Sequence, residues 1–138
     1  MGRILAIDYG KKRTGLAVSD PLQLIAGGLT TLASHEVIPF LKKYSADQAV
    51  ELFILGEPKQ MNYEDSENMP RVRYFRKKLQ QAIPNIEIRM VDERFTSVLA
   101  HQTMLDAGLK KQQRQNKPLV DQISATILLQ TYLESIRK

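Results

Sequence analysis

Three carboxylates stand where apolar segments end, and their positions suggest one kind of chemistry. Asp8 directly follows the apolar run Ile4–Ile7 in "IDYGKKRTGLAVSD". Glu93 lies just past a second strand-like run that finishes in Val91–Asp92, and Asp121 falls in register with Ala125, Leu128 and Tyr132 along a helix. The spacing of four, three and four turns that last acid toward the apolar side of its helix. An isolated buried carboxylate costs several kcal/mol or protonates, so three brought together call for a cation. Mg2+ or Mn2+ fits best, because both take oxygen ligands and leave room for water and phosphate oxygens. Two such ions roughly 4 Å apart would activate a water and stabilise the leaving oxygen of a phosphodiester. Each acid also has an ordinary use. Asp8 could bond the backbone of its own glycine turn, Glu93 could pair with Arg94 or Arg89, and Asp121 could favour its helix dipole.

Composition narrows the alternatives. The 138 residues include no cysteine and two histidines, His35 and His101, so disulfides and thiolate metal sites are excluded and a histidine zinc site is improbable. No apolar run nears the roughly 20 residues of a membrane span, and no signal-peptide pattern opens the chain, which together point to a cytoplasmic protein away from membranes. The net charge of +5 is clustered. Lys11–Lys12–Arg13, the group Arg71, Arg73, Arg76, Lys77 and Lys78, and the group Lys110, Lys111, Arg114 and Lys117 form three patches that together favour a polyanionic partner.

The elements that must position the acids follow from periodicity. Arg3–Tyr9, Gly15–Ser19 and Gly27–Leu32 read as three strands joined by short turns, and hence antiparallel. Ser34 is placed to cap a helix running to about Tyr44, and Val50–Leu55 is a buried fourth strand ended by Gly56 and Pro58. Val72, Phe75, Leu79 and Ala82 mark an amphipathic helix with a basic outer face. Ile86–Val91 is the fifth strand. A helix from Thr96 or Ser97 to Gly108 and a last helix from about Leu119 to Ile136 complete the chain. Helical crossovers make the later strands parallel, giving an α/β fold with a mixed five-stranded sheet and helices on both faces, as one domain over residues 1–138. If the first and fifth strands are neighbours, Asp8 and Glu93 emerge on one rim.

Three stretches, "AIDYGKKRTGLAVSD", "VDERFTSVLA" and "NKPLVDQISATILLQTYL", closely resemble the RuvX/YqgF family of Holliday-junction-resolvase-like proteins, regarded as nucleases of pre-16S ribosomal RNA maturation. The likeness runs through nearly the whole chain in length and motif order. It implies an RNase H-like fold and a carboxylate-metal phosphodiesterase site. By position, Asp8 matches the acid of the first motif, Glu93 the glutamate of the "DER" motif and Asp121 the acid opening the last helix, with Asp92 a weaker fourth. Lys11, Arg13, Arg94 and Lys117 would contact phosphates, and Lys110, Lys111 and Arg114 extend that basic set. The family usually carries "GLP" and then "DG" after the fourth strand, where this chain has "GEPKQMNYEDSENM". Glu57 and Ser66 therefore depart from the pattern, and exposure of Glu57 on the loop is the simpler reading.

Three other readings compete with RNA processing. Junction resolution would favour a dimer that cuts paired strands, and the chain gives no sign beyond a monomer or weak homodimer. A non-catalytic ribosome-assembly factor would use the same cations, but three carboxylates in its phosphate site would repel the ligand. The "DYGKKRTG" turn also resembles the first phosphate loop of actin-like ATPases and sugar kinases. Those proteins close two such domains over a nucleotide, and this chain has the length of one.

Overall fold

The computed structural model describes residues 2–58, 67–92 and 116–136. Five strands, β1 (Arg3–Tyr9), β2 (Arg13–Ser19), β3 (Ala26–Ala33), β4 (Val50–Glu57) and β5 (Glu87–Asp92), form one sheet in the order β3-β2-β1-β4-β5. β1 pairs antiparallel with β2, and β2 with β3, whereas β1–β4 and β4–β5 are parallel. Helices α1 (Val37–Asp47), α2 (Met69–Ala82) and α3 (Lys117–Ile136) flank it. The mixed sheet expected from the sequence is therefore present. The adjacency of the first and fifth strands is not, because β4 lies between them.

Alternation along the central strands separates two cores. Leu5, Ile7, Phe53, Leu55 and Ile88 face Val37 and Leu41 of α1 and Val72, Phe75 and Leu79 of α2. Ile4, Ala6, Ala17, Leu52 and Ile54 face Ala125, Leu128, Leu129, Tyr132 and Leu133 of α3. Covering on both faces is why β1 and β4 read as continuous apolar runs rather than as alternating strands. Each large side chain so buried contributes about 1.5–3 kcal/mol.

α3 lies unusually close to β2 and β3. A Cβ on Gly15 would sit 2.0 Å from the Asp121 carbonyl oxygen, and one on Gly28 would sit 2.4 Å from Gln122 Nε2. The Thr31 hydroxyl donates to the Pro118 carbonyl at 2.6 Å, fixing the start of the helix over the same edge. At the far end, Asp20 accepts from the Leu22, Leu24 and Ile25 amides and closes the β2–β3 turn.

Ser34 has a different role from the expected cap. It opens a 3-10 turn, Ser34–Glu36, before α1, and neither helical segment receives a side-chain cap bond. Its hydroxyl instead donates to the Gly10 carbonyl at 2.5 Å and lies 2.8 Å from Thr14 Oγ1. The hydroxyl is thus turned back toward the β1–β2 turn instead of accepting from a helix amide. The helix expected at residues 96–108 lies outside the described residues. Among the described residues, no helix is long and apolar enough to cross a membrane.

Candidate functional site

β1 ends at the rim where the parallel strands finish, and Asp8 is its last residue but one. Strand alternation puts Asp8 on the face of Ile4 and Ala6, toward α3. It is in register with Gly15 of β2. Ile7 pairs with Leu55, so Asp8 runs alongside Gly56 of β4, which pairs in turn with Val91 of β5. The half-buried Asp8 thus lies between two residues without side chains, Gly15 on one side and Gly56 on the other.

Asp121 reaches the same place from above. Its backbone carbonyl presses onto Gly15, the partner of Asp8, because glycine alone allows that approach. Its carboxylate accepts a hydrogen bond from Arg13 Nε at 2.9 Å, with the two side chains 26% and 36% exposed. An ion pair this exposed contributes no more than about 1 kcal/mol, so its main effect is to fix the carboxylate's direction.

The basic turn beside these acids is held from below. Besides the Ser34 hydroxyl bond to Gly10, the Ser34 amide donates to the Lys12 carbonyl at 3.0 Å. Asn68, just before α2, donates its side-chain amide to the Tyr9 carbonyl at 2.9 Å, and the Tyr9 ring stacks on Phe75 with centroids 4.3 Å apart. Lys11 and Lys117 stand exposed around the rim, one in the turn and the other at the first residue of α3.

The other expected acids fall elsewhere. Met90 packs toward α1 and α2 while Val91 packs toward α3, so alternation turns the exposed Asp92 away from Asp8's face. Glu57 closes β4 in register with Asp92, half-buried rather than on an exposed loop, and alternation carries it to that same opposite face. Glu93, Arg94, Lys110, Lys111 and Arg114 lie outside the described residues, as does Ser66. Among the described residues, no three carboxylate or histidine groups converge to hold a metal.

Residue-type reasoning passed over Gly15 and Asn68 and gave Gly56 and Ser34 other roles, a strand end and a helix cap; Gly15 shapes the site by letting the helix backbone approach, and Ser34 and Asn68 by holding the turn. The signal for Gly15 was legible as a glycine inside an apolar strand, a mark of close backbone approach. A second cleft, of about 280 Å³, opens at the amino ends of the parallel strands between Glu51, Glu87, Arg89 and Tyr132. Its polar groups are paired: Arg89 donates to Glu87 at 2.6 Å and to the Tyr132 hydroxyl, and the Gln23 amide donates to Glu51.

Comparison with known proteins places this geometry. Residues 2–135 match the family model RuvX, described as Holliday junction resolvase. A relative from Bacteroides thetaiotaomicron is 63% identical over 137 residues, 99% of each chain, and bears the provisional name pre-16S rRNA nuclease. Relatives from Porphyromonas gingivalis and Flavobacterium johnsoniae, 57% and 56% identical, bear the same provisional name, with 98% and 99% of each chain covered. Among solved structures, Thermus thermophilus RuvC in complex with a Holliday junction substrate superposes with a TM-score of 0.60 at 13% identity, covering 98% of this chain and 96% of that one. That likeness establishes a shared RNase H-like fold.

Proposed function

This chain belongs to the RuvX family, and from that premise we propose that it is a metal-dependent nuclease, one domain over residues 1–138, that processes pre-16S ribosomal RNA in the bacterial cytoplasm. The observation that carries the reading is the close packing of α3 on Gly15, which brings the start of that helix, with Asp121, over the strand position paired with Asp8.

A divalent cation suits this donor set. The rim offers hard carboxylate oxygens from Asp8 and Asp121, and the chain has no cysteine to supply a thiolate. Asp8 and Asp121, with Glu93 as the third ligand, would hold Mg2+ or Mn2+. Such an ion supplies an activated water and neutralises charge on the leaving oxygen. The chain's own groups do the remaining work. Arg13 orients the Asp121 carboxylate, and the pinned Gly10–Lys12 turn presents Lys11 to a phosphate without further ordering. Lys117 meets the same backbone from α3, with Arg94, Lys110, Lys111 and Arg114 extending the contact.

Junction cleavage is the second reading, favoured by the family's description and by the fold shared with RuvC. Cleavage of a labelled pre-16S RNA and a four-way DNA junction, each with Mn2+ or EDTA, separates the two. Manganese-dependent cutting of the RNA alone is the expected outcome. Cutting of the junction alone would transfer the assignment to recombination. Tight RNA binding without cutting, indifferent to EDTA, would make the chain a binding factor.

A further inference from the structure

The second basic group, on α2, plays no part in the site described above. α2 carries Arg71, Arg73, Arg76, Lys77 and Lys78 and no acidic residue between Met69 and Ala82. All five are exposed, while Met69, Val72, Phe75 and Leu79 are buried against the sheet. Arg73 stands three and four residues from Arg76 and Lys77, so like charges are neighbours on one face, and each such pair destabilises a helix by about 0.2–0.5 kcal/mol. An ordinary solvated helix intersperses glutamates among its lysines.

The patch also has the chemistry and placement of a nucleic-acid contact. Arg73, Arg76, Lys77, Gln80 and Gln81 line a shallow groove along the helix. Beside it the Tyr74 ring is 63% exposed, with Lys78 Nζ 5.3 Å from its centre. Cations with amide donors and an open aromatic ring suit a phosphate backbone with an unstacked base. The helix starts at the rim, where Asn68 grips the Tyr9 carbonyl next to Asp8, and its 14 residues run about 21 Å from there.

We propose that the outer face of α2 is a second docking surface, which binds the phosphate backbone of the RNA substrate beyond the cleavage point. The inference rests on the nucleic-acid reading of the rim and deepens it: affinity for a long precursor comes from both the rim and α2, whereas a short strand reaches the rim alone.

The test compares wild type with Arg73→Gln/Arg76→Gln/Lys77→Gln in binding a labelled precursor RNA across a salt series. Cleavage of a short strand containing only the cleavage site is followed in parallel. Glutamine keeps helix propensity, and circular dichroism verifies the fold. An Arg73→Lys/Arg76→Lys variant keeps the charge. The expected result for the glutamine variant is binding at least about tenfold weaker, a salt slope shallower by about two, and unchanged short-strand cleavage, with the lysine variant near wild type. Wild-type affinity and salt slope in the glutamine variant would overturn the α2 surface while leaving the rim's role intact. Absence of RNA binding by the wild-type protein would overturn the reading on which both depend.

Discussion

The two faces of the sheet are packed by opposite strategies. Toward α1 and α2 the strands present Leu5, Ile7, Phe53 and Leu55, large side chains that keep the helices at side-chain distance. Toward α3 the large Ile4, Leu52 and Ile54 are joined by Ala6, Gly15, Ala17 and Gly28, and over β2 and β3 the start of the helix settles almost onto the strands. A large-residue core can repack around a change, whereas backbone against backbone cannot. Asp8 and Asp121 lie on the second face, where their placement depends least on side-chain rotamers. The first face gives bulk stability and carries the basic surface of α2.

That contrast can be tested from both sides. Phe53→Ala, deep in the first core, is expected to lower unfolding free energy by about 3–5 kcal/mol, read by urea titration, while activity per folded molecule is retained. A proportionate loss of specific activity would mean that the two faces are coupled. Gly15→Ala is expected to cost about 1–3 kcal/mol of stability and a larger share of function, since its methyl group displaces the Asp121 backbone. Wild-type cleavage by the folded variant would show that the close approach does not position the site.

The smallest effect is expected farthest from the rim. Backbone hydrogen bonds, that from Ile25 first, hold the Asp20 carboxyl below its ordinary value of 3.8 against a weaker opposing effect of desolvation. A depressed value means stability that is present above pH 3.8 and lost as pH falls through the folded-state value. Asp20→Ala is therefore expected to be less stable than wild type at pH 7, with the gap closing only as pH falls below 3.8 through the folded-state value, and cleavage at neutral pH unchanged. A gap independent of pH would assign the effect to something other than this carboxylate.

Much of the fold was legible because periodicity and turn chemistry agreed. The strand number, the antiparallel-then-parallel pairing and the apolar stripe of α3 all follow from spacing. β4's insertion between β1 and β5 was not legible, because strand order depends on how crossovers traverse the sheet and leaves no local mark. In the site, Asp8 and Asp121 stood out as acids at the ends of apolar patterns. The pairing of Arg13 with Asp121 did not, since it joins positions 108 residues apart. Ser34 misled for a chemical reason: a hydroxyl ahead of a helix resembles a cap whether it bonds the helix or the turn behind it.

The most direct test of the account is single-turnover cleavage of pre-16S RNA by wild type and Asp8→Asn at saturating Mn2+, with RNA affinity measured alongside. If Asp8 holds the ion as proposed, loss of its carboxylate slows cleavage at least about a thousandfold, because such an ion supplies several kcal/mol of transition-state stabilisation. Affinity should be preserved or increased, since a negative charge leaves the phosphate site. Equal loss of cleavage and binding, or undiminished cleavage, would contradict a metal-holding role for Asp8.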